Sequence, residues 1–247
     1  LRRTHGGIKG GLDSLALHGF STDTAASDPV AKIVLRAHNS IASSLSQLDL
    51  ITRNFHAYSH KTWVPSKHKS YRYASINLIE VLKGFDKIYW ANLYEAEKRF
   101  LYTFSGIEKL LLKCNEQTLK LVFWNIYDNA VQFSYNKTPI ETVVQKEDDA
   151  YKIIISNHGT GIPGDELRDV FKDSFKGSYR DRNKETPGQG RGLYICKQCL
   201  TFLFKEATIE IQSAEDTVTK KEKRRYEGDH YITRIMVSIP FKYFVEE

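Results

Sequence analysis

The sequence predicts an α+β protein in which an N-terminal helical hairpin, able to form a four-helix bundle on dimerisation, precedes an α/β sandwich. Three observations carry this. A long apolar stripe at helical spacing fills much of the first quarter of the chain. A polar and aromatic stretch rich in Lys, His, Ser and Tyr then intervenes at 59–74 and reads as a linker. Beyond it, helix-like and strand-like segments mix without regular β-α-β alternation, which favours helices packed on one face of a mixed sheet. The expected layout is a helical hairpin over 1–60, a linker over 61–74 and an α/β domain over 75–247.

The stripe comes first. Residues 8–20 give a weak helical pattern, and Ser21 to Asp28 a polar connection. Pro29 suits a first helical turn, because its missing N–H has no partner there in any case. Ile33, Val34, Ala37, Ile41, Leu45, Leu48, Ile51 and Phe55 then recur at spacings of three and four. A long helix with one apolar stripe must bury it against partner helices, hence the bundle. After the linker, Ile76 to Glu97 predicts a helix, and Phe100 to Phe104 and Lys109 to Cys114 short strands. A helix over 116–134 follows, then strands near 140–145 and 150–156. Helical segments near 165–172 and 191–204 flank a loop rich in Gly, Lys and Arg, and strands at 207–213 and 230–241 close the domain.

Composition narrows the function classes. A chain of 247 residues with 41% hydrophobic and 27% charged residues can bury a core and is neither disordered nor fibrous. The net charge is +6, but the basic residues are scattered. The one dense run, Lys220 to Arg225, lacks an aromatic stacking platform and reads as a solvated hairpin loop, so no nucleic-acid partner is expected. Three cysteines, an odd number, argue against a disulfide framework and for a reducing compartment. Cys196 and Cys199 form a C-x-x-C inside a helical stretch with no second ligand pair, so zinc is not expected. No apolar run approaches the ~18 residues of a membrane span, and residues 1–12 lack a signal-peptide core. A cytoplasmic chain, or the cytoplasmic part of a longer one, is expected, with no membrane contact of its own.

Three motifs carry chemistry. On the 116–134 helix, Asn125 and Asn129 are four apart, so both amides emerge on one face; alone they read as two surface asparagines of an amphipathic helix or as a pair that can hold a hard cation or phosphate-bound water. The strand Ile153-Ile154-Ile155-Ser156-Asn157 runs into His158-Gly159-Thr160-Gly161-Ile162, which by itself reads either as an ordinary strand-to-loop turn or as one whose glycines let the backbone approach a flat ligand, with Asn157 able to bond an adenine edge. In Gly188-Gln189-Gly190-Arg191-Gly192-Leu193, alternating glycines lead into a helix whose amides and dipole suit anionic phosphates. The last is neither a dinucleotide fingerprint, since it follows a long polar loop rather than a strand, nor a Walker loop, since no G-K-[ST] follows.

Order and spacing together resemble the ATPase fold shared by histidine kinases, gyrase, the ninety-kilodalton heat-shock chaperone and mismatch-repair ATPases, over 75–245. The resemblance implies ATP with magnesium as ligands. Asn125 would hold magnesium, Asn129 would lie near the phosphates, and Asn157 would face adenine beside Gly159, Gly161 and Ile162. The phosphates would run along Gly188, Gly190, Arg191, Gly192 and Leu193. Phe171-Lys172-Asp173-Ser174-Phe175-Lys176-Gly177 looks like the phenylalanine box that opens a mobile lid at 176–190, which would set Phe171, Phe175 and Lys176 at the nucleotide. Hydrolytic relatives have glutamate where this chain has Asn125; a carboxylate can activate water and an amide cannot. That departure points to phosphoryl transfer, as in the histidine kinases.

The N-terminal pattern is similar to the dimerisation hairpin of that kinase group, whose second helix would be 33–59, ending in Tyr58-Ser59. The resemblance then implies a sensor histidine kinase core of a two-component system: a homodimer that phosphorylates its own histidine and passes the phosphoryl group to a response-regulator aspartate. His5 in His5-Gly6-Gly7-Ile8-Lys9 is the candidate acceptor and His38 the alternative. Gly6 departs from the acidic residue usual after the histidine, and Asn157 from the usual aspartate. Two other classes stay open: a nucleotide-binding pseudokinase signalling through dimer conformation, and a serine-directed kinase of the anti-sigma-factor type.

Overall fold

The computed structural model describes residues 29–59, 73–178, 190–216 and 230–245, with side chains in the first stretch described for 33–48. The predicted helix at 8–20, His5, the basic run at 220–225, Gly188 and most of the lid lie outside these residues.

Helix α1 spans Pro29–Ser59. Its stripe is real and unfilled: Ile33, Val34, Ile41 and Leu48 keep 49–64% of their surface exposed. The other side docks on the domain through polar contacts. Ser43 is fully buried and donates to the Ile88 carbonyl at 2.6 Å. Gln47 donates to the same carbonyl at 2.8 Å and to Asn92 Oδ1 at 2.7 Å.

Sequence periodicity expected one helix over 76–97; the structure divides that stretch. Strand β1 (Ala74–Asn77) pairs antiparallel with β3 (Leu111–Cys114), and helices α2 (Leu78–Lys83) and α3 (Phe85–Glu95) follow. Asn77 causes the switch, because its Oδ1 accepts from the N–H of Ile79 as an N-cap and from Leu110 N–H across the small sheet, both at 3.2 Å. Ile76 belongs to the apolar pattern but sits on the strand side of that cap. The helix pair α2 and α3, of which α3 receives α1, thus starts from a fixed point.

Strand β2 (Arg99–Thr103) precedes β3, and helix α4 (Glu116–Phe133) follows it. Then come β4 (Pro139–Lys146), β5 (Ala150–Gly159), helix α5 (Gly192–Leu203), β6 (Thr208–Glu215) and β7 (Tyr231–Pro240). The main sheet has the order β2-β4-β5-β7-β6, parallel only between β2 and β4. Burial alternates along β4, as expected of a sheet with one face toward helices. Ile140, Val144, Ile153, Ile155, Val237 and Ile239 form one core with Leu119, Val122, Phe123 and Ile126 of α4 and Ile195, Cys199 and Leu200 of α5. The α+β sandwich is therefore as expected. All three cysteines are free and buried, and burial pushes the Cys114 and Cys199 thiols up to about 12. Among the described residues no group of His, Cys, Asp or Glu is arranged to hold a metal.

The segment expected to be helical at 165–172 is instead a run of tight turns. Glu166, Asp169 and Lys172 each donate their N–H three residues back, to Pro163, Glu166 and Asp169, at 2.9–3.0 Å. Each bond closes a turn of its own, and the apolar content, Leu167, Val170 and Phe171, is too sparse to hold a helical face.

Candidate functional site

Asn115 caps α4, its Oδ1 accepting from the Thr118 N–H and hydroxyl, each at 2.9 Å. Residues 119–130 then press one apolar face into the core and carry Asn125 along, 5% exposed. Its Nδ2 donates to the Leu121 carbonyl one turn back, at 2.8 Å. That bond fixes the amide, and its oxygen faces the start of α5: a Cβ on Gly192 would lie 2.9 Å from Asn125 Oδ1. Cys196, one turn into α5, donates to the Val122 carbonyl at 3.2 Å and ties the two helices together. Asn129 is half-buried on the next turn of the same face. The first amides of helix α5, those of Gly192 and Leu193 among them, have no intrahelical partner, and no side-chain N-cap meets them.

The glycine loop before α5 is welded to the phenylalanine segment. Gly190 has φ +70°, and a Cβ there would fall 2.2 Å from the Phe175 carbonyl oxygen. Arg191, 7% exposed, donates Nε–H to Asp173 Oδ1 at 2.9 Å. Lys197 of α5 lies over the Phe171 ring at 5.9 Å. Glu166 receives the Ser178 N–H on both oxygens, at 3.0 and 3.1 Å, near the start of the segment expected to form a lid. Lys176 is exposed between these anchors.

The third motif closes the arrangement at the end of β5. A Cβ on Gly159 would sit 1.9 Å from the Phe133 carbonyl oxygen, so the C-terminus of α4 touches the strand backbone. Tyr135 donates its N–H to the His158 carbonyl at 2.9 Å at the same junction. Lys98 completes it, donating to the carbonyls of Val131 and Ser134 at 2.8 and 2.9 Å, and burial brings its ammonium down to about 8. Gly161, at φ +73°, packs against the Tyr231 ring, where a Cβ would come within 2.3 Å.

Asn157 stands two residues before the end of β5, 7% exposed. Register places it in a row across the sheet: Phe100, Ile140, Asn157, Thr233 and Ser213. Ser213 Oγ lies 3.1 Å from Thr233 Oγ1 and accepts the Ile162 N–H at 2.9 Å. Thr233, Ser213, Lys98 and Asp173 are neighbours that sequence reasoning did not single out. Only Asp173 had a local signal, as part of the phenylalanine segment; the others arrive by cross-strand register or through a helix end.

The structure thus gathers Asn125, Asn129, Gly190, Arg191, Gly192 and Leu193 around the α4–α5 contact. Gly159 adjoins them through Phe133, with Asn157, Gly161 and Ile162 on the same strand and the turn that follows it. Phe171 and Phe175 are tied in by Gly190, Arg191 and Lys197. His38 lies apart on α1, half-buried, with Nδ1 3.3 Å from Asn39 Oδ1, on the helix that docks on α3. A wall of amide groups, glycine backbone and an uncapped helix start suits a polyanionic ligand with a flat group at the strand end.

The chain is 31% identical over 103 residues to the histidine protein kinase SaeS of Staphylococcus epidermidis, a match covering 41% of this chain and 28% of that protein. The chain therefore spans less than a third of the length of this curated relative. Its fold is similar to the catalytic domain of histidine kinase ThkA (TM-score 0.54, 16% identity), over 68% of this chain and 95% of that one. It is also similar to ThkA solved in complex with the response regulator protein TrrA (TM-score 0.51, 18% identity), over 96% of this chain and 58% of that one. Residues 114–241, more than half of the sequence, match the family model of the histidine kinase-, DNA gyrase B- and HSP90-like ATPases, and the chain belongs to that family.

Proposed function

We propose that this chain is the catalytic core of a sensor histidine kinase, using ATP to phosphorylate a histidine and passing the phosphoryl group to a response-regulator aspartate. The observation that carries the reading is Asn125. It is buried, pinned through Nδ2 to Leu121, and set against the first residue of α5. An amide there can ligate or donate but cannot take a proton from water, which favours transfer to a protein nucleophile over hydrolysis.

In this reading adenine lies at Asn157, Gly159, Gly161 and Ile162, and the phosphates lie against Gly188, Gly190, Arg191, Gly192 and Leu193. Phe171, Phe175 and Lys176 root the lid. Magnesium fits a single protein oxygen, that of Asn125, because this ion keeps most of its shell from phosphate and water rather than from a protein cage. Bound there it would neutralise phosphate charge. Asn129 would bond the phosphates from the next turn. A neutral imidazole attacks the γ-phosphorus in line, the bond to the β–γ bridging oxygen breaks, and ADP departs.

His5 is the proposed acceptor and His38 the alternative. The proposed modules are 1–60 for dimerisation and phosphotransfer, 61–74 as linker, and 75–247 for ATP binding. The exposed Val34, Ile41 and Leu48, seven residues apart, support a homodimer through the N-terminal helices. ThkA, solved with its response regulator, supports a receiver domain as partner. No described helix is long and apolar enough to cross a membrane.

A second reading, a pseudokinase signalling through dimer conformation, is favoured by Gly6, which cannot polarise the imidazole of His5. Incubation with γ-labelled ATP separates the two. The kinase predicts acid-labile, alkali-stable phosphate on the protein, lost in His5→Ala or, for the alternative, in His38→Ala. ATP binding without protein-bound phosphate would leave the pseudokinase.

A further inference from the structure

Asn157 is more than nine-tenths buried, yet among the described residues no hydrogen-bond partner meets its side-chain amide. Buried amides of this kind are satisfied in nearly all proteins, and a ligand at the strand end would satisfy this one. Its surroundings leave the sense of that bond open. The cross-strand neighbour on β4 is Ile140, which has nothing to bond. The neighbour on β7 is Thr233, a hydroxyl that can donate or accept and already shares a bond with Ser213. Gly159, where a built Cβ would lie 3.1 Å from Asn157 Nδ2, adds no side chain. No charge in the row Phe100–Ile140–Asn157–Thr233–Ser213 fixes which end of the amide faces the base.

A carboxylate at this place would be acceptor-only. It matches the 6-amino group of adenine and repels the 6-oxo group of guanine or hypoxanthine. An amide offers an oxygen acceptor and a nitrogen donor of nearly the same shape, exchanged by a half-turn about its last torsion. Resting on the nucleotide reading above, we infer that Asn157 meets position 6 of a purine in either hydrogen-bonding sense, so that this site takes 6-oxopurine nucleotides as well as ATP. The cost of the wrong base in such a site comes from leaving buried polar groups opposed or unpaired, and that cost is absent here.

The test is equilibrium binding of ATP, ITP and GTP with magnesium to the full chain and to Asn157→Asp, with thermal melting to show that the variant folds. ITP isolates position 6, since it lacks the 2-amino group that GTP adds. The expected result is ITP within about tenfold of ATP in the unaltered chain. Asn157→Asp should weaken ITP at least about tenfold further while ATP holds or tightens. ITP bound with GTP excluded also supports the inference, because the 6-oxo group is still accepted. ATP bound with ITP rejected about a hundredfold or more overturns it and leaves the nucleotide reading intact. So does an ATP-to-ITP ratio that Asn157→Asp does not move. No binding of any of the three overturns both.

Discussion

A Cβ added to Gly192 would lie 2.9 Å from Oδ1 of Asn125, so the opening residue of α5 and the proposed magnesium ligand of α4 share space that only glycine leaves open. The amide cannot swing away cheaply, because its Nδ2 is held by the Leu121 carbonyl at 2.8 Å. Gly192→Ala is therefore expected to weaken ATP–magnesium binding by about tenfold or more while lowering stability by only about 1–3 kcal/mol. Calorimetric titration beside a urea melt checks this. Unchanged affinity would remove Asn125 from the ligand set.

Gly159 and Gly106 make a paired prediction about backbone contact. A Cβ on Gly159 would overlap the Phe133 carbonyl at 1.9 Å, backbone against backbone, whereas at Gly106, φ +80°, nothing lies within 4 Å. Gly159→Ala is expected to destabilise the domain by about 3 kcal/mol or more. Gly106→Ala should cost only the strain of its positive φ, about 1 kcal/mol. Chemical denaturation of both variants decides it, and equal losses would contradict the packing described at the α4–β5 junction.

Lys98 predicts a pH dependence with a definite sign. Its ammonium is brought down to about 8 by burial, from an ordinary value of 10.5. Between those values the unfolded chain holds a proton that the folded chain has released, so this group makes stability rise with pH across that window. The buried Cys114 and Cys199 thiols act oppositely. They are raised to about 12 from 9.0, so their contribution is complete below about 9 and is lost as pH climbs toward 12. The difference between the unaltered chain and Lys98→Met cancels the thiols. Urea melts from pH 7 to 10 should show the unaltered chain gaining on the variant above pH 8; a flat difference would contradict the assignment.

The two sides of α1 should separate by mutation. Ile41 is 49% exposed on the stripe, while Ser43 is fully buried against α3 and donates to Ile88 O at 2.6 Å. Ile41→Glu is expected to abolish dimers in sedimentation without altering ATP affinity. Ser43→Ala should leave the dimer intact and weaken only the docking of α1, by about 1 kcal/mol. Dimers surviving Ile41→Glu would remove the stripe from the interface.

How far the residues alone reached follows from which interactions are local. The α4 helix, its paired asparagines and the glycine turns were legible because periodicity and glycine spacing are written within a few consecutive residues. The Asn157–Thr233–Ser213 row was not, since it depends on β5 lying beside β7 and β7 beside β6, a register no short stretch encodes. Lys98 was hidden for a similar reason: its role lies at the end of a helix that begins many residues later. Strand β1 was absorbed into the helix prediction because Ile76 continues the apolar pattern, and only the bonds of Asn77 to Ile79 and Leu110 show where the strand stops.

Transfer of the γ-phosphoryl group to protein rather than to water, as proposed for an amide at position 125, is tested most directly by a single-turnover reaction. It uses ample magnesium and γ-labelled ATP below the protein concentration, following label on protein and as inorganic phosphate. Label should appear first as acid-labile phosphate on the protein, with inorganic phosphate lagging behind, and Asn125→Ala should abolish both. Label passing straight to inorganic phosphate, with none held on the protein at any time, would contradict the account.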